Sequence, residues 1–155
     1  MRQTYKILAH TIAGFVAVQA AVMVFAVAGL GVWIADGNTL TEAAFEGDNP
    51  PDFTGAIGFF LHFVFGMMLI PLLALLLLII SFFAKIPGGV KWAAIILGLV
   101  VLQIALGIFG HETPYAGLLH GLNALILFTT ALLAGRRVVT SPADVASPYE
   151  DAAVR

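Results

Sequence analysis

Four long runs without a formal charge constrain this chain more than any other feature. They span 7–35, 53–84, 92–110 and 113–135 and hold 19 to 32 residues each. A helix needs ~20 residues to cross a ~30 Å hydrocarbon core at ~1.5 Å per residue, so every run is long enough to span. A lipid-embedded segment must satisfy its own backbone hydrogen bonds, and runs of this length do so as helices rather than as ~10-residue barrel strands. Composition agrees: 61% of residues are hydrophobic and 10% charged, where soluble domains average about 45–50% and about 25%.

The remaining residues narrow the chemistry. Seven Lys and Arg stand against nine Asp and Glu, which leaves no basic surface for phosphates and excludes nucleic-acid binding. The absence of cysteine removes disulfides, thiolate metal sites, iron–sulfur clusters and covalent haem attachment. The first run follows Arg2 and Lys6 as a secretory signal would, but it far exceeds the 7–15 apolar residues of such a signal and is expected to be a retained helix.

Orientation follows from the basic residues. Arg2, Lys6, Lys85, Lys91, Arg136, Arg137 and Arg155 fall on one side of the four spans, and Asp36, Glu42, Glu46, Asp48, Asp52 and Glu112 on the other. The positive-inside rule then places both termini in the cytoplasm, in a plasma (inner) membrane. Short connections at 85–91 and 110–114 make neighbouring helices antiparallel. The expected fold is an all-α, up-down-up-down transmembrane four-helix bundle over 1–137, with helices at about 7–35, 54–84, 90–110 and 114–135. A disordered cytoplasmic tail is expected over 138–155, where Ser-Pro pairs recur. Pro71 predicts a kink near Ile70, and the aliphatic stretch 72–80 is expected to face lipid.

Polar side chains inside spans are costly and mark functional sites. His62 lies ~12 Å below the outer end of the second helix and His120 ~9 Å below the outer end of the fourth. Those two helices run in the same direction on opposite corners of a sequentially wound bundle, so the imidazoles match in depth. Such a pair suits the two axial ligands of a haem iron. Inter-helix hydrogen bonding, a proton pathway and another metal are the alternatives, although zinc ordinarily takes three or four ligands. Gly58 and Gly66 share the His62 face, and Gly117 and Ala124 the His120 face. Small residues there leave room for a flat macrocycle or for close helix packing. Gln103, level with the pair, is placed to hydrogen-bond a histidine, a haem or a quinone oxygen, and Asn123 to orient the His120 ring. Gln19 is a further amide within a span. His10 is expected to snorkel at the cytoplasmic interface, and His111 and Glu112 to occupy the outer loop.

A faint internal repeat accompanies this pattern. FAVAGLGV from Phe25 parallels QIALGIFG from Gln103, with Gly29 against Gly107. FFLHFVFG from Phe59 parallels AGLLH from Ala116. Two hairpins, each with a histidine on its second helix, are what duplication around a shared cofactor leaves.

One histidine in the second helix and one in the fourth, with LHGLNA from Leu119, resembles one four-helix half of the haem A synthase superfamily. The likeness covers about 5–135 and is closest to small four-helix bacterial membrane proteins related to that enzyme. It implies that His62 and His120 are haem ligands. The synthase has two such halves, an outer-loop cysteine pair and a loop glutamate close to its second helix. This sequence has one half, no cysteine, and Asp52 as the loop acid nearest His62. The resemblance therefore implies haem b binding rather than haem A synthesis. The function expected is one-electron transfer without an assigned turnover reaction, to a quinone or a partner redox protein, from the lipid bilayer and within a possible homo- or hetero-oligomer. A cofactor-free accessory or assembly subunit of a larger membrane complex is the alternative.

Overall fold

The structure, a computed structural model, describes residues 1–41 and 51–138. Among the described residues there are four helices: α1 (Arg2–Ala35), α2 (Ile57–Ala84), α3 (Gly89–Phe109) and α4 (Pro114–Arg136). All four are long and apolar enough to cross a membrane, and the chain is a multi-pass membrane protein. No strand occurs among the described residues. The tail expected at 138–155, apart from Val138, and the acidic residues Glu42, Glu46 and Asp48 lie outside them.

Helix α1 packs against α2 and α4, and α3 packs against the same two. The bundle is therefore wound in sequence order, with α2 and α4 on one diagonal. One end carries Arg2, Lys6, Lys85, Lys91, Arg136 and Arg137, and the other carries Asp36, Asp52 and Glu112. They are called here the basic and acidic ends.

Helix α1 starts at Arg2, five residues before the charge-free run. Charge does not stop a helix whose backbone bonds are intact, and Arg2 uses its side chain to donate from Nη2 to the Lys85 carbonyl at 3.1 Å. That carbonyl belongs to a residue in the left-handed region (φ 52°), which costs about 1 kcal/mol for a side chain with a Cβ. Gly88, at φ 72°, completes the tight turn into α3 without that cost. Tyr5 donates from its hydroxyl to the Gly89 carbonyl at 3.1 Å, so the basic end is tied across the bundle. Arg137 lies over the Trp92 ring, 4.6 Å from its centroid. At the acidic end, Thr113 caps α4 by accepting from the Tyr115 N–H, with Pro114 in the first turn.

Alanines bring the helices close. Ala9, Ala13, Ala74, Ala93, Ala131 and Ala134 are buried along the seams, with Ile12, Leu77, Ile96 and Leu127 filling the space between. This apolar core occupies the basic half of the bundle. Within 72–80, Leu72, Leu75, Leu76 and Ile79 face outward while Ala74 and Leu77 are buried; one face of that stretch meets the surroundings, not the whole.

The expected irregularity in α2 sits upstream of Pro71. Residues Phe65–Leu69 form a π-turn, closed by the Ile70 N–H donating to the Phe65 carbonyl. Pro71 has no N–H and its ring crowds the carbonyl four residues back. Widening the preceding turn moves that carbonyl away, so the strain is absorbed before the proline is reached.

Candidate functional site: a pair of imidazoles held by two matching clamps

The acidic half of the bundle is built differently from the apolar half. There α1 and α2 meet through Gly58: a Cβ at that position would strike the Val22 carbonyl oxygen and come within 3.0 Å of the Ala26 Cβ. Backbone approaches backbone, and polar groups can bridge the helices directly.

They do so twice, in the same way. In the first hairpin, Gln19 Nε2 donates to the His62 carbonyl at 2.9 Å, and His62 Nδ1 lies 3.2 Å from the Gln19 carbonyl. In the second, Gln103 Nε2 donates to the His120 carbonyl at 3.0 Å, and His120 Nδ1 lies 3.0 Å from the Gln103 carbonyl. Each glutamine and histidine therefore exchange a side-chain-to-backbone bond in both directions. A carbonyl oxygen only accepts, so each Nδ1 must carry the proton. In a neutral ring the lone pair is then on Nε2.

The two rings meet across the α2–α4 diagonal. Their centroids are 6.0 Å apart and their planes 53° apart, and both residues are half-buried. Two imidazoles that bind one metal through facing nitrogens at ~2.0 Å, with ring centres ~1.1 Å behind those nitrogens, have centroids ~6.2 Å apart. The observed separation is close to that value, and it also lies in the ordinary range for packed aromatic rings. Among the described residues no group of three or more His, Cys, Asp or Glu side chains converges, so the pair stands without further acidic or thiolate ligands.

The other expected site residues fall into place around this frame. Gln103 meets His120 through its own backbone carbonyl and through the His120 backbone, not by a side-chain bond to the ring. Asn123 does not reach the His120 ring. Its Nδ2 donates to Gln103 Oε1 at 2.6 Å and to the Leu99 carbonyl at 3.0 Å, so it braces the glutamine. Gly66 makes room for the Gln19 amide, since a Cβ there would sit 2.9 Å from Nε2. Gly107 performs the matching service for the His120 ring, at 3.2 Å from Cε1 and Nδ1. Gly117 is exposed and has nothing within 4 Å of its missing Cβ. His10 packs into a notch at Gly135 in α4 rather than reaching for an interface, with its ring atoms 2.7–2.9 Å from where a Cβ would stand. His111 and Glu112 are exposed at the acidic end.

Gln19 is the residue whose role the sequence concealed. Counted from the end of α1, it lies ~24 Å deep against ~10 Å for Gln103, and the two seemed unrelated. Helix α1 is 34 residues long, ~51 Å, and overhangs its neighbours. The repeat is thereby re-registered: Gln19, not Phe25, is the counterpart of Gln103. The recoverable signal was a single amide within each charge-free run of the odd-numbered helices, with a single histidine near the start of each even one.

No family model, no curated protein and no solved structure matches this chain.

Proposed function

We propose that this protein is a transmembrane b-type cytochrome, in which His62 and His120 would hold one haem, with one-electron transfer as its role. The observation that carries this reading is the close imidazole pair, 6.0 Å between centroids on diagonally opposite helices, each ring fixed by its Nδ1–H on a backbone carbonyl. When bound, haem supplies reversible one-electron chemistry at its iron.

The chain's own residues do the rest. The Gln19 and Gln103 carbonyls hold each ring's tautomer and orientation and raise the basicity of the opposite nitrogen. Asn123 keeps Gln103 in place. The apolar half of the bundle excludes water from one side of the pair. With the basic end in the cytoplasm, as the positive-inside rule requires, the site lies toward the outer leaflet of a plasma membrane. A membrane quinone or a redox protein docking at the acidic end would exchange the electron.

Haem titration into the detergent-purified protein tests this reading. The expected result is one low-spin haem per chain, with His62→Ala and His120→Ala each losing the low-spin spectrum and His10→Ala retaining it. A parent protein that neither carries haem nor takes it up refutes the cytochrome reading and leaves the imidazole pair as a packing contact of a cofactor-free subunit.

A further inference from the structure

The two clamps match except at one atom. In the second hairpin Gln103 Oε1 accepts from Asn123 Nδ2. In the first, Gln19 Oε1 is buried and finds no donor among the described residues, although Gln19 is only 7% exposed. The residue at the Asn123 position, three after the histidine, is Phe65. Its ring packs edge-to-face on Phe15, at 5.7 Å between centroids. Phe15 lies four residues before Gln19, as Leu99 lies four before Gln103, so the register holds and only the chemistry differs. Where the second hairpin has an amide donor, the first has an aromatic wall.

The π-turn of α2 runs past the same amide. The π-turn is closed by the Ile70 N–H on the Phe65 carbonyl. The next donor in that register, toward the Gly66 carbonyl, belongs to Pro71 and does not exist. Gly66 is also the residue against which the Gln19 amide rests. A buried amide oxygen without a donor thus belongs to an amide that packs against a turn one helical donor short. Leaving such an oxygen unpaired in an apolar medium is unfavourable, so the site favours a group that donates O–H.

We infer that Gln19 Oε1, in the part of the α1–α2 contact where Phe15 and Phe65 pack and next to His62, binds an O–H donor. Two sources share this chemistry. A water molecule donates to Gln19 Oε1; the hydroxyl of a membrane hydroquinone donates to the same oxygen with its ring against the phenylalanines. The site does not use the imidazole pair, and a protein that takes up no haem leaves it intact and testable.

The test exploits the internal repeat. Phe65→Asn installs the donor that the second hairpin already has, which closes the site from within. Gln19→Leu removes the acceptor, and Phe65→Leu keeps an apolar wall and serves as the folding control. Saturable binding of decylubiquinol to the full-length protein in detergent, weakened at least ~10-fold by Phe65→Asn and Gln19→Leu but within ~2-fold of the parent in Phe65→Leu, identifies the hydroquinone source. No such binding, together with an infrared O–H band that shifts in heavy-oxygen water and disappears in Phe65→Asn and Gln19→Leu, identifies water. A parent with neither signal overturns the inference. So does a signal that survives both Phe65→Asn and Gln19→Leu.

Discussion

Replacing Asn123 by leucine removes one side-chain amide and nothing else of comparable size. Asn123 is 4% exposed, so leucine fills the same buried space. The Leu99 carbonyl keeps its helical partner, whereas Gln103 Oε1 loses its 2.6 Å donor and becomes as unpaired as Gln19 Oε1. An unsatisfied buried acceptor costs about 1–3 kcal/mol, and side-chain hydrogen bonds inside membrane proteins average ~0.6 kcal/mol with a maximum near ~1.7. The expected destabilisation is therefore about 1–2 kcal/mol. A double-mutant cycle isolates the pair: with Gln103→Leu also present no polar atom is orphaned, so the double variant should cost less than the sum of the singles by about 0.6–1.7 kcal/mol. By the same reasoning Gln19→Leu should cost less than Gln103→Leu, because it removes an oxygen with no donor among the described residues. The assay is reversible unfolding of the detergent-solubilised protein by SDS, followed by far-UV circular dichroism. Strict additivity, with Asn123→Leu costing under ~0.3 kcal/mol, would refute the idea that Asn123 braces the second clamp.

Gly58→Ala should destabilise by about 1–3 kcal/mol in the same unfolding assay, because its methyl group meets the Val22 backbone and no side-chain rotation relieves it. Gly135→Ala should be milder, since the group it meets is the His10 ring; adding His10→Ala should restore most of the loss, and no restoration would mean that the ring is not what the methyl group strikes. Single cysteines at Asn38 and Lys91, probed in intact cells with an impermeant thiol reagent, should label at Asn38 and stay protected at Lys91. The opposite pattern reverses the membrane orientation.

The fold was legible because spans obey a length rule that few other structures satisfy, and the turn at 85–91 left no choice of neighbours. The depth match of His62 and His120 was readable for the same reason: both were counted from loops that coincide with the ends of their helices. Gln19 was not, since α1 overhangs the bundle and the loop that follows it gives no measure of depth. Arg2 and Lys6 likewise concealed the true start of α1, because a charge boundary marks solvent contact and not the end of hydrogen bonding. Small residues near the histidines carried an ambiguous message, as either cofactor room or helix contact. Gly58 and Gly66 serve contact between α1 and α2, and Gly107 seats the His120 ring. Asn123 was correctly placed near the histidine face, but spacing along one helix does not say which partner on the next helix an amide will choose; Gln103 is within reach and the ring is not its partner.

Near-infrared magnetic circular dichroism of the haem-reconstituted ferric protein tests the central claim most directly, because the position of its charge-transfer band identifies the axial ligand pair. The account predicts the signature of bis-imidazole ligation in the parent protein, its loss in both His62→Ala and His120→Ala, and its retention in His10→Ala and His111→Ala. A band belonging to any other ligand pair, or a bis-imidazole band that persists without His62 or without His120, would contradict it.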